Sequence, residues 1–362
     1  MSGSLNLDKP YLPLLKSVEF QPIFILGLAR SGTTLLYKLL TQSQSFNYIQ
    51  AYHIVRYDEI LFNYFEQQEI NARANLNNQY KALGVENRIF DQVPVDSTFP
   101  GEYRVILQNK GKLLNWKRDF LKYLKRILKG DHFSALLFEA LKLSPESRVL
   151  MLESCKKVQL ISDQDKPLLL KNPLDFNNFI YLKDVFPTAK FVFIYREPID
   201  ILNSQIKALI SVLGSQNSYL NVQSKIYQNL TQNPFIFPAL KAAISSGRMT
   251  QLILDILQNN LTQAVDFFKS NIDLLPHDDY IVVTYERLCE QPNQAIAQIF
   301  DFLQISPNLT VDYKKMIAPR PRKLLSELES NYPKLRQQLH AYSSLESFSD
   351  AWFINKIDSP IA

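Results

Sequence analysis

Short, largely apolar runs recur along the chain, separated by longer stretches in which apolar positions follow helical spacing. Runs of this length, with few polar positions, are typical of strands that are buried on both faces of a parallel sheet. The pattern therefore predicts strands at 22–27, 46–49, 167–171, 190–196 and 280–285.

The stretches between these runs predict helices. Pro198 stands where one of them would begin, because its fixed φ and missing N–H suit a first helical turn. The stretch at 205–275 is broken near Pro234 and Pro238. Because strands alternate with helices, the sequence predicts an α/β fold in which a parallel sheet is flanked by helices, with 53–145 and 205–275 as helical insertions. The predicted helical segments are 34–40, 53–83, 102–145, 174–186, 205–275 and 293–303.

A glycine-punctuated loop joins the first predicted strand to the first predicted helix. Residues 27–34 read Gly-Leu-Ala-Arg-Ser-Gly-Thr-Thr, which is GxxxxG followed by Thr-Thr. A Walker A loop would carry Lys at the position of Thr33, whereas this loop carries Arg30 three residues earlier. Backbone N–H groups of residues 31–34 at a helix N-terminus form an anion nest, and Arg30 adds positive charge beside it.

The residues that follow the predicted strands indicate a basic site. The strands end at Lys171, Arg196 and Tyr285-Glu286, and none ends in the Asp that holds Mg²⁺ in NTP-dependent enzymes; Glu286 is a weak substitute. The four histidines and two cysteines are scattered, without the spacing of metal ligands. The sequence therefore predicts an anion site without a metal, with an NTP-dependent kinase as the rival enzyme class.

Residues 22–40, PIFILGLARSGTTLLYKLL, resemble the 5′-phosphosulfate loop of sulfotransferases that use 3′-phosphoadenosine 5′-phosphosulfate (PAPS) as donor. The similarity is greatest to the branch whose loop reads Arg-Ser-Gly-Thr-Thr. The resemblance implies a fold related to the P-loop kinases and PAPS as the donor. It also implies that the 5′-phosphosulfate is held by Arg30, Ser31, Gly32, Thr33 and Thr34.

A second segment resembles the 3′-phosphate motif of the same family. In residues 196–204 a strand-end Arg196 is followed by Pro198 and Asp200, with Ser204 eight residues after the Arg. The resemblance implies that Arg196 and Ser204 bind the 3′-phosphate of the donor, since Arg can grip a phosphate through two N–H groups. Residues 285–288 resemble a late strand–helix unit of the family, and 319–323 loosely resemble a basic loop that closes over the nucleotide.

The sequence offers two candidates for the base that deprotonates the acceptor. Glu102 follows Pro100-Gly101 at a predicted helix start, where similar sulfotransferases carry Pro-Glu-Glu-Tyr; this chain departs from them at Gly101. His53 follows the second predicted strand, and family members use His or Glu as the base. Relatives also place a Lys near the transferring group, which implies that role for Lys171. Arg30 is expected to stabilise charge during transfer.

These resemblances predict a single sulfotransferase domain over 1–362. Neither an internal repeat nor a Gly/Ser-rich linker divides the chain. The predicted units are a phosphosulfate-binding unit at 15–50, a helical insertion on the acceptor side at 51–160, a 3′-phosphate-binding unit at 165–206 and a helical C-terminal part at 207–362.

Composition narrows the partners and the compartment. The net charge of +5 and the pI of about 8.9 suit an anionic ligand and do not call for nucleic acid. Two cysteines far apart favour a reducing compartment, and neither a secretory signal nor an apolar membrane span is evident, so we expect a soluble cytoplasmic enzyme. The basic run at 110–129 predicts a solvated helix face or, alternatively, contact with an acidic or membrane-bound acceptor.

The acceptor itself is left open by the sequence. We expect a hydroxyl or an amine on a small molecule, a lipid or a carbohydrate, and no pattern indicates the oligomeric state. The apolar and aromatic character of 46–65 and 99–138 leans towards a lipid, polyketide or aromatic alcohol, although core packing explains the same residues. A nucleotide-binding protein that has lost catalysis is the non-enzyme alternative.

Overall fold

A parallel five-stranded sheet forms the centre of the computed structural model of this chain. The structure describes residues 5–85, 87, 94–110, 145–214, 216–246, 250–306, 311–317, 323–330, 332, 333 and 337. The strands are β1 (Pro22–Leu26), β2 (Asn47–Tyr48), β3 (Leu168–Lys171), β4 (Lys190–Tyr195) and β5 (Tyr280–Thr284). Their order in the sheet is β2-β3-β1-β4-β5, which confirms the predicted α/β fold.

The register of the strands brings their carboxyl ends to one edge. Strand β1 lies between β3 and β4, with Ile25 opposite Lys171 and Leu26 opposite Phe193. Strand β5 continues the sheet beyond β4, with Tyr195 opposite Thr284. Ligands of such sheets bind beyond the carboxyl ends of the strands, and the segments that follow β1, β3, β4 and β5 meet there.

The two faces of the sheet support separate apolar cores. Along β1, Phe24 and Leu26 pack on one face, whereas Ile23 and Ile25 pack on the other. This alternation follows from the period of two in a strand, and burial on both faces explains why the strands read as continuous apolar runs. The prediction of helices on both faces is therefore confirmed.

Helices of very different length cover these faces. Among the helices that the structure describes, none is both long enough and apolar enough to span a membrane. The α-helices are α1 (Thr33–Gln42), α2 (Ala51–Val55), α3 (Ile60–Phe65), α4 (Glu69–Ala82), α5 (Tyr103–Lys110), α6 (Pro145–Leu160), α7 (Phe179–Val185), α8 (Pro198–Gly214), α9 (Ser218–Gln223), α10 (Lys225–Thr231), α11 (Ile236–Ser245), α12 (Thr250–Asn271), α13 (Tyr285–Glu290), α14 (Pro292–Leu303) and α15 (Ser326–Ser330).

Several predicted helices differ from those observed. The segment 53–83 is split into α2, α3 and α4, with a 3₁₀ turn at Tyr57–Glu59, and Pro173–Asn178 is a 3₁₀ helix that precedes α7. The break near Pro234 is confirmed, whereas the one near Pro238 is wrong. Pro238 lies in the first turn of α11, where backbone N–H groups have no acceptor within the helix, so proline is tolerated.

Parts of three predictions lie outside the described residues. They are residues 111–144 of the predicted helical segment 102–145, residues 111–129 of the basic run at 110–129, and residues 319–322 of the loosely matched basic loop at 319–323.

Candidate active site

The loop after β1 turns sharply between the sheet and α1. Arg30 and Gly32 adopt left-handed backbone conformations, with φ of 76° and 107°. A Cβ at Gly32 would lie 2.4 Å from the ring of Tyr285, and one at Gly27 would lie 2.6 Å from the carbonyl oxygen of Ile194. The glycines are therefore needed because the loop runs directly against β4 and the start of α13.

This loop presents hydrogen-bond donors at the start of α1. The N–H of Ser31 closes a turn onto the carbonyl of Leu28 at 2.9 Å, and Gly32 caps α1 without a side chain. The first N–H groups of a helix, here those of Thr33 and Thr34, have no acceptor within the helix. The Ser31 hydroxyl is buried and has no hydrogen-bond partner within the described part of the chain. These donors converge at the start of α1, where the sequence predicts an anion site.

The two sequence motifs, far apart in the chain, meet directly. Arg30 Nε donates to Ser204 Oγ at 3.0 Å, across 174 positions of sequence. The guanidinium of Arg196 donates to the carbonyl oxygen of Arg30 at 3.2 Å, and Gln205 Nε2 donates to that of Ala29 at 2.8 Å. The structure therefore brings the predicted 5′ and 3′ segments together at one edge of the sheet.

Arg196 is held between the loop and α13. Its guanidinium carbon lies 4.2 Å from the centre of the Tyr285 ring, and its buried Nε has no acceptor among the described residues. The neighbouring Glu286 accepts the N–H of Glu197 at 3.2 Å, and burial raises the pKa of its carboxyl group. Glu286 thus supports the turn that follows β4.

Lys171 and Glu102 form an ion pair beside the start of α1. Lys171 Nζ donates to Glu102 Oε1 at 2.6 Å and to Thr34 Oγ1 at 3.2 Å. The Lys171 side chain is 1% exposed, whereas that of Glu102 is 31% exposed. Two predicted catalytic residues and one predicted donor-binding residue therefore lie together, with the carboxylate on the more accessible side.

A buried carboxylate beneath this pair was missed by sequence reasoning. Asp175 is fully buried and accepts hydrogen bonds from the Tyr103 hydroxyl at 2.6 Å, from Asn172 at 2.6 Å and from Asn178 at 2.9 Å; Arg104 pairs with it as well. Tyr103 and Arg104 directly follow Glu102, and Asn172 directly follows Lys171. No sequence motif signals this cluster. Tyr103 and Arg104 reach Asp175 across about 70 residues, whereas Asn172 and Asn178 each lie three residues from it in the chain.

His53 lies in a different local environment. Its Nδ1 accepts the backbone N–H of Gln50 at 3.1 Å, as one half of a capping box at the start of α2. The side chain is buried, and burial, together with the nearby charge of Arg73, lowers its pKa to about 3. The ring is therefore neutral, with its Nδ1 lone pair already engaged.

A cavity of about 650 Å³ lies on the side of the helical insertion. Its wall includes Ile54, whose terminal methyl would lie 2.4 Å from a Cβ at Gly101. A Glu at 101, as in Pro-Glu-Glu-Tyr, would therefore require the Ile54 side chain to shift. The cavity is lined by mixed apolar, polar and charged residues from five α-helices and the segments next to them, among them Val55, Arg56, Leu83, Asn109, Val222 and Lys225.

A profile described as the sulfotransferase family matches residues 22–308, which is most of the chain and includes both motifs. This chain belongs to the sulfotransferase family. Among curated proteins no sequence matches it significantly. The matched residues contain all five strands and every candidate site residue.

Two solved sulfotransferases have a similar fold. STF9 from Mycobacterium avium superposes with a TM-score of 0.60 at 15% identity, over 94% of this chain and 81% of that chain. STF1 from Mycobacterium tuberculosis gives a TM-score of 0.57 at 14% identity, over 91% and 79%. At this level of identity the similarity shows a shared fold, and it says nothing about which acceptor this chain uses.

Among the residues that the structure describes, no group of three His, Cys, Asp or Glu side chains is placed to share a metal ion.

Proposed function

We propose that this sulfotransferase uses PAPS as its donor and transfers the sulfuryl group to a hydroxyl or amine of a small-molecule, lipid or carbohydrate acceptor. The observation that carries the proposal is the direct contact between the two anion-binding segments, through Arg30, Ser204 and Arg196. A nucleotide with phosphates at both its 5′ and 3′ ends needs two such sites side by side.

The residues at this edge fit such a donor. The buried hydroxyl of Ser31 and the buried Nε of Arg196 are donors without an acceptor in the described structure. Unsatisfied buried donors are destabilising, so an anion that accepts from them compensates a real cost. Two arginines and a helix N-terminus also complement the negative charge of the donor. Thr33 and Thr34 would hold the 5′ end, while Arg196 and Ser204 would hold the 3′ end.

PAPS supplies a sulfuryl group that is already activated on a phosphate leaving group. In the proposed roles, Arg30 and Lys171 stabilise negative charge beside the start of α1. Lys171 also donates hydrogen bonds to both Thr34 and Glu102. It therefore holds the Glu102 carboxylate beside the donor cradle, the group of donors at the start of α1 to which Thr34 belongs. Glu102 then accepts the proton of the acceptor hydroxyl.

Two features favour Glu102 over His53 as the base. The carboxylate of Glu102 is partly exposed and lies against the donor cradle through Lys171. His53, in contrast, is buried, and its Nδ1 accepts a backbone N–H, so protonation there would break the capping box. We therefore assign the base to Glu102 and a structural role to His53.

The cavity lined by Ile54 is the proposed route of the acceptor to Glu102. Ile54 separates the cavity from Gly101, the residue that immediately precedes Glu102. The cavity has a lining of apolar, polar and charged residues, which suits an acceptor with both apolar and polar parts. A screen of radiolabelled sulfur transfer across lipids, carbohydrates and small phenols would identify the acceptor class.

Calorimetry with two nucleotides tests the donor assignment without any acceptor. We expect adenosine 3′,5′-diphosphate to bind at least about 100-fold more tightly than AMP, because two charge-assisted hydrogen bonds exceed the free energy that this factor requires. The preference should be unchanged by EDTA. Equal affinities for the two nucleotides, or tight ATP binding that depends on Mg²⁺, would contradict the proposal and favour the kinase alternative.

A further inference from the structure

The ring of Tyr285 lies between the two halves of the donor site. One edge of the ring packs against Gly32, where a Cβ would lie only 2.4 Å from Cδ2 of the ring. Its face supports Arg196, whose guanidinium carbon is 4.2 Å from the ring centre. The sequence motifs assigned to the donor include Gly32 and Arg196 but give no role to the aromatic residue that touches both.

The local structure fixes where this ring points. Strand β5 ends at Thr284, opposite the last residue of β4, so that Tyr285 comes level with Arg196. Thr284 caps α13 by accepting the N–H of Arg287 at 3.2 Å, which makes Tyr285 the first helical residue. The strand register and the helix cap thus fix the position of the ring.

A guanidinium that lies over a ring face is held without using its N–H groups. Arg has five N–H donors in one plane, and stacking leaves that plane open to acceptors. Among the described residues, the guanidinium donates one hydrogen bond, to the carbonyl of Arg30, and its buried Nε has no acceptor. The attraction between the cation and the ring therefore orients the group while preserving its capacity to bind phosphate.

We infer that Tyr285 is a positioning residue that orients Arg196 and so sets the preference for a nucleotide with a 3′-phosphate. The inference rests on the proposed use of PAPS. The proposed effect of the Tyr285 ring on the 3′ end of the donor site is separate from the packing of the ring against Gly32, which lies at the 5′ end.

The test compares Tyr285→Leu with Tyr285→Phe in the full chain, using adenosine 3′,5′-diphosphate and AMP as calorimetric probes. We expect Tyr285→Leu to reduce the preference for the diphosphate about tenfold, which corresponds to about 1.4 kcal/mol. Tyr285→Phe should keep the preference within about threefold, because it retains the ring. The ratio of the two affinities cancels any loss at the 5′ loop, which both nucleotides share.

Two further measurements distinguish orientation from general damage. In the Arg196→Ala background, Tyr285→Leu should have no further effect on the preference. If the leucine variant does not fold, phenylalanines with increasing fluorination at position 285 keep the shape and weaken the negative ring face; the preference should fall with each fluorine.

Two outcomes would overturn the inference. One is an unchanged preference in Tyr285→Leu, which includes an equal loss of affinity for both nucleotides, and the other is a flat response to fluorination. A wild-type protein with no preference at all would instead contradict the proposed donor, so the two failures are distinguishable.

Discussion

At the proposed donor half of the site, made of residues 27–34 with Arg196, Ser204 and Tyr285, every proposed binding group follows a strand of one parallel sheet. At the base half, made of Glu102, Lys171 and the contacts of Asp175, the carboxylate comes from a loop that precedes α5 and reaches Lys171 across 69 positions. The first half is placed by the backbone of the sheet, whereas the second depends on buried side chains. The donor half should therefore tolerate side-chain changes elsewhere, and the base half should be sensitive to them.

The strongest test of the base half is Glu102→Gln. The change keeps the shape of the side chain and removes its capacity to take a proton, so kcat should fall by about 10²–10⁴-fold. Affinity for adenosine 3′,5′-diphosphate should change only a few-fold, because Glu102 does not line the donor cradle. Steady-state kinetics and calorimetry measure the two effects, with Glu290→Gln on the exposed surface as the matched control. An active Glu102→Gln beside an inactive His53→Ala would move the base to His53.

Replacing Asp175 tests how the base half is supported. Asp175→Asn leaves the buried Arg104 without its charged partner, and breaking such a pair costs about 3–5 kcal/mol of unfolding free energy. Urea denaturation would measure the loss. We expect the folded variant to keep the nucleotide preference of the wild type, since the donor half does not use Asp175. A variant as stable as the wild type would show that the carboxylate contributes little.

The largest effect at the donor half is expected for Arg30→Ala. This change removes a charge at the proposed 5′-phosphosulfate position and the hydrogen bond to Ser204. Losing one preorganised donor should lower kcat/KM on the order of 10²-fold or more. Arg148→Ala, on an exposed part of α6, is the control. An Arg30→Ala enzyme with unchanged kcat/KM would contradict the assignment of the loop.

Arg196→Ala separates the 3′ end of the donor half from its 5′ end. The expected preference of about 100-fold for adenosine 3′,5′-diphosphate over AMP should largely disappear, while affinity for AMP stays nearly constant. Calorimetry with both nucleotides gives the two values. If the preference survives, another group binds the 3′-phosphate.

The same contrast explains what the sequence could predict. The sheet and the donor half follow from local patterns: continuous apolar strands, a glycine loop and basic residues at strand ends. The sequence identifies Gly32, but only the structure shows its positive φ and the Tyr285 ring that occupies the space a Cβ would need.

The base half was predicted only in part. Glu102 and Lys171 were each identified, but their ion pair depends on long-range packing. No sequence motif identifies the residues that contact Asp175, because each of them is an ordinary polar residue whose burial is decided by the fold. Roles for individual site residues, and the single-domain organisation, stay predictions.

The smallest expected effect concerns His53, because the assignment of the base to Glu102 leaves His53 with a structural role. Its pKa in the folded chain is about 3, against 6.5 for an ordinary histidine. Between these values the unfolded chain binds more protons than the folded one, so the free energy of unfolding falls as the pH is lowered. The slope is about 1.4 kcal/mol per pH unit, or about 2 kcal/mol between pH 6.5 and pH 5.

His53→Gln keeps an acceptor suited to the capping box and removes the titration. Urea denaturation at pH 7.5 and pH 5 should therefore show the wild type losing about 2 kcal/mol more than His53→Gln, whose other groups titrate identically. Equal losses in the two proteins would mean that His53 titrates normally in the folded chain, and the ring would again compete with Glu102 as the base.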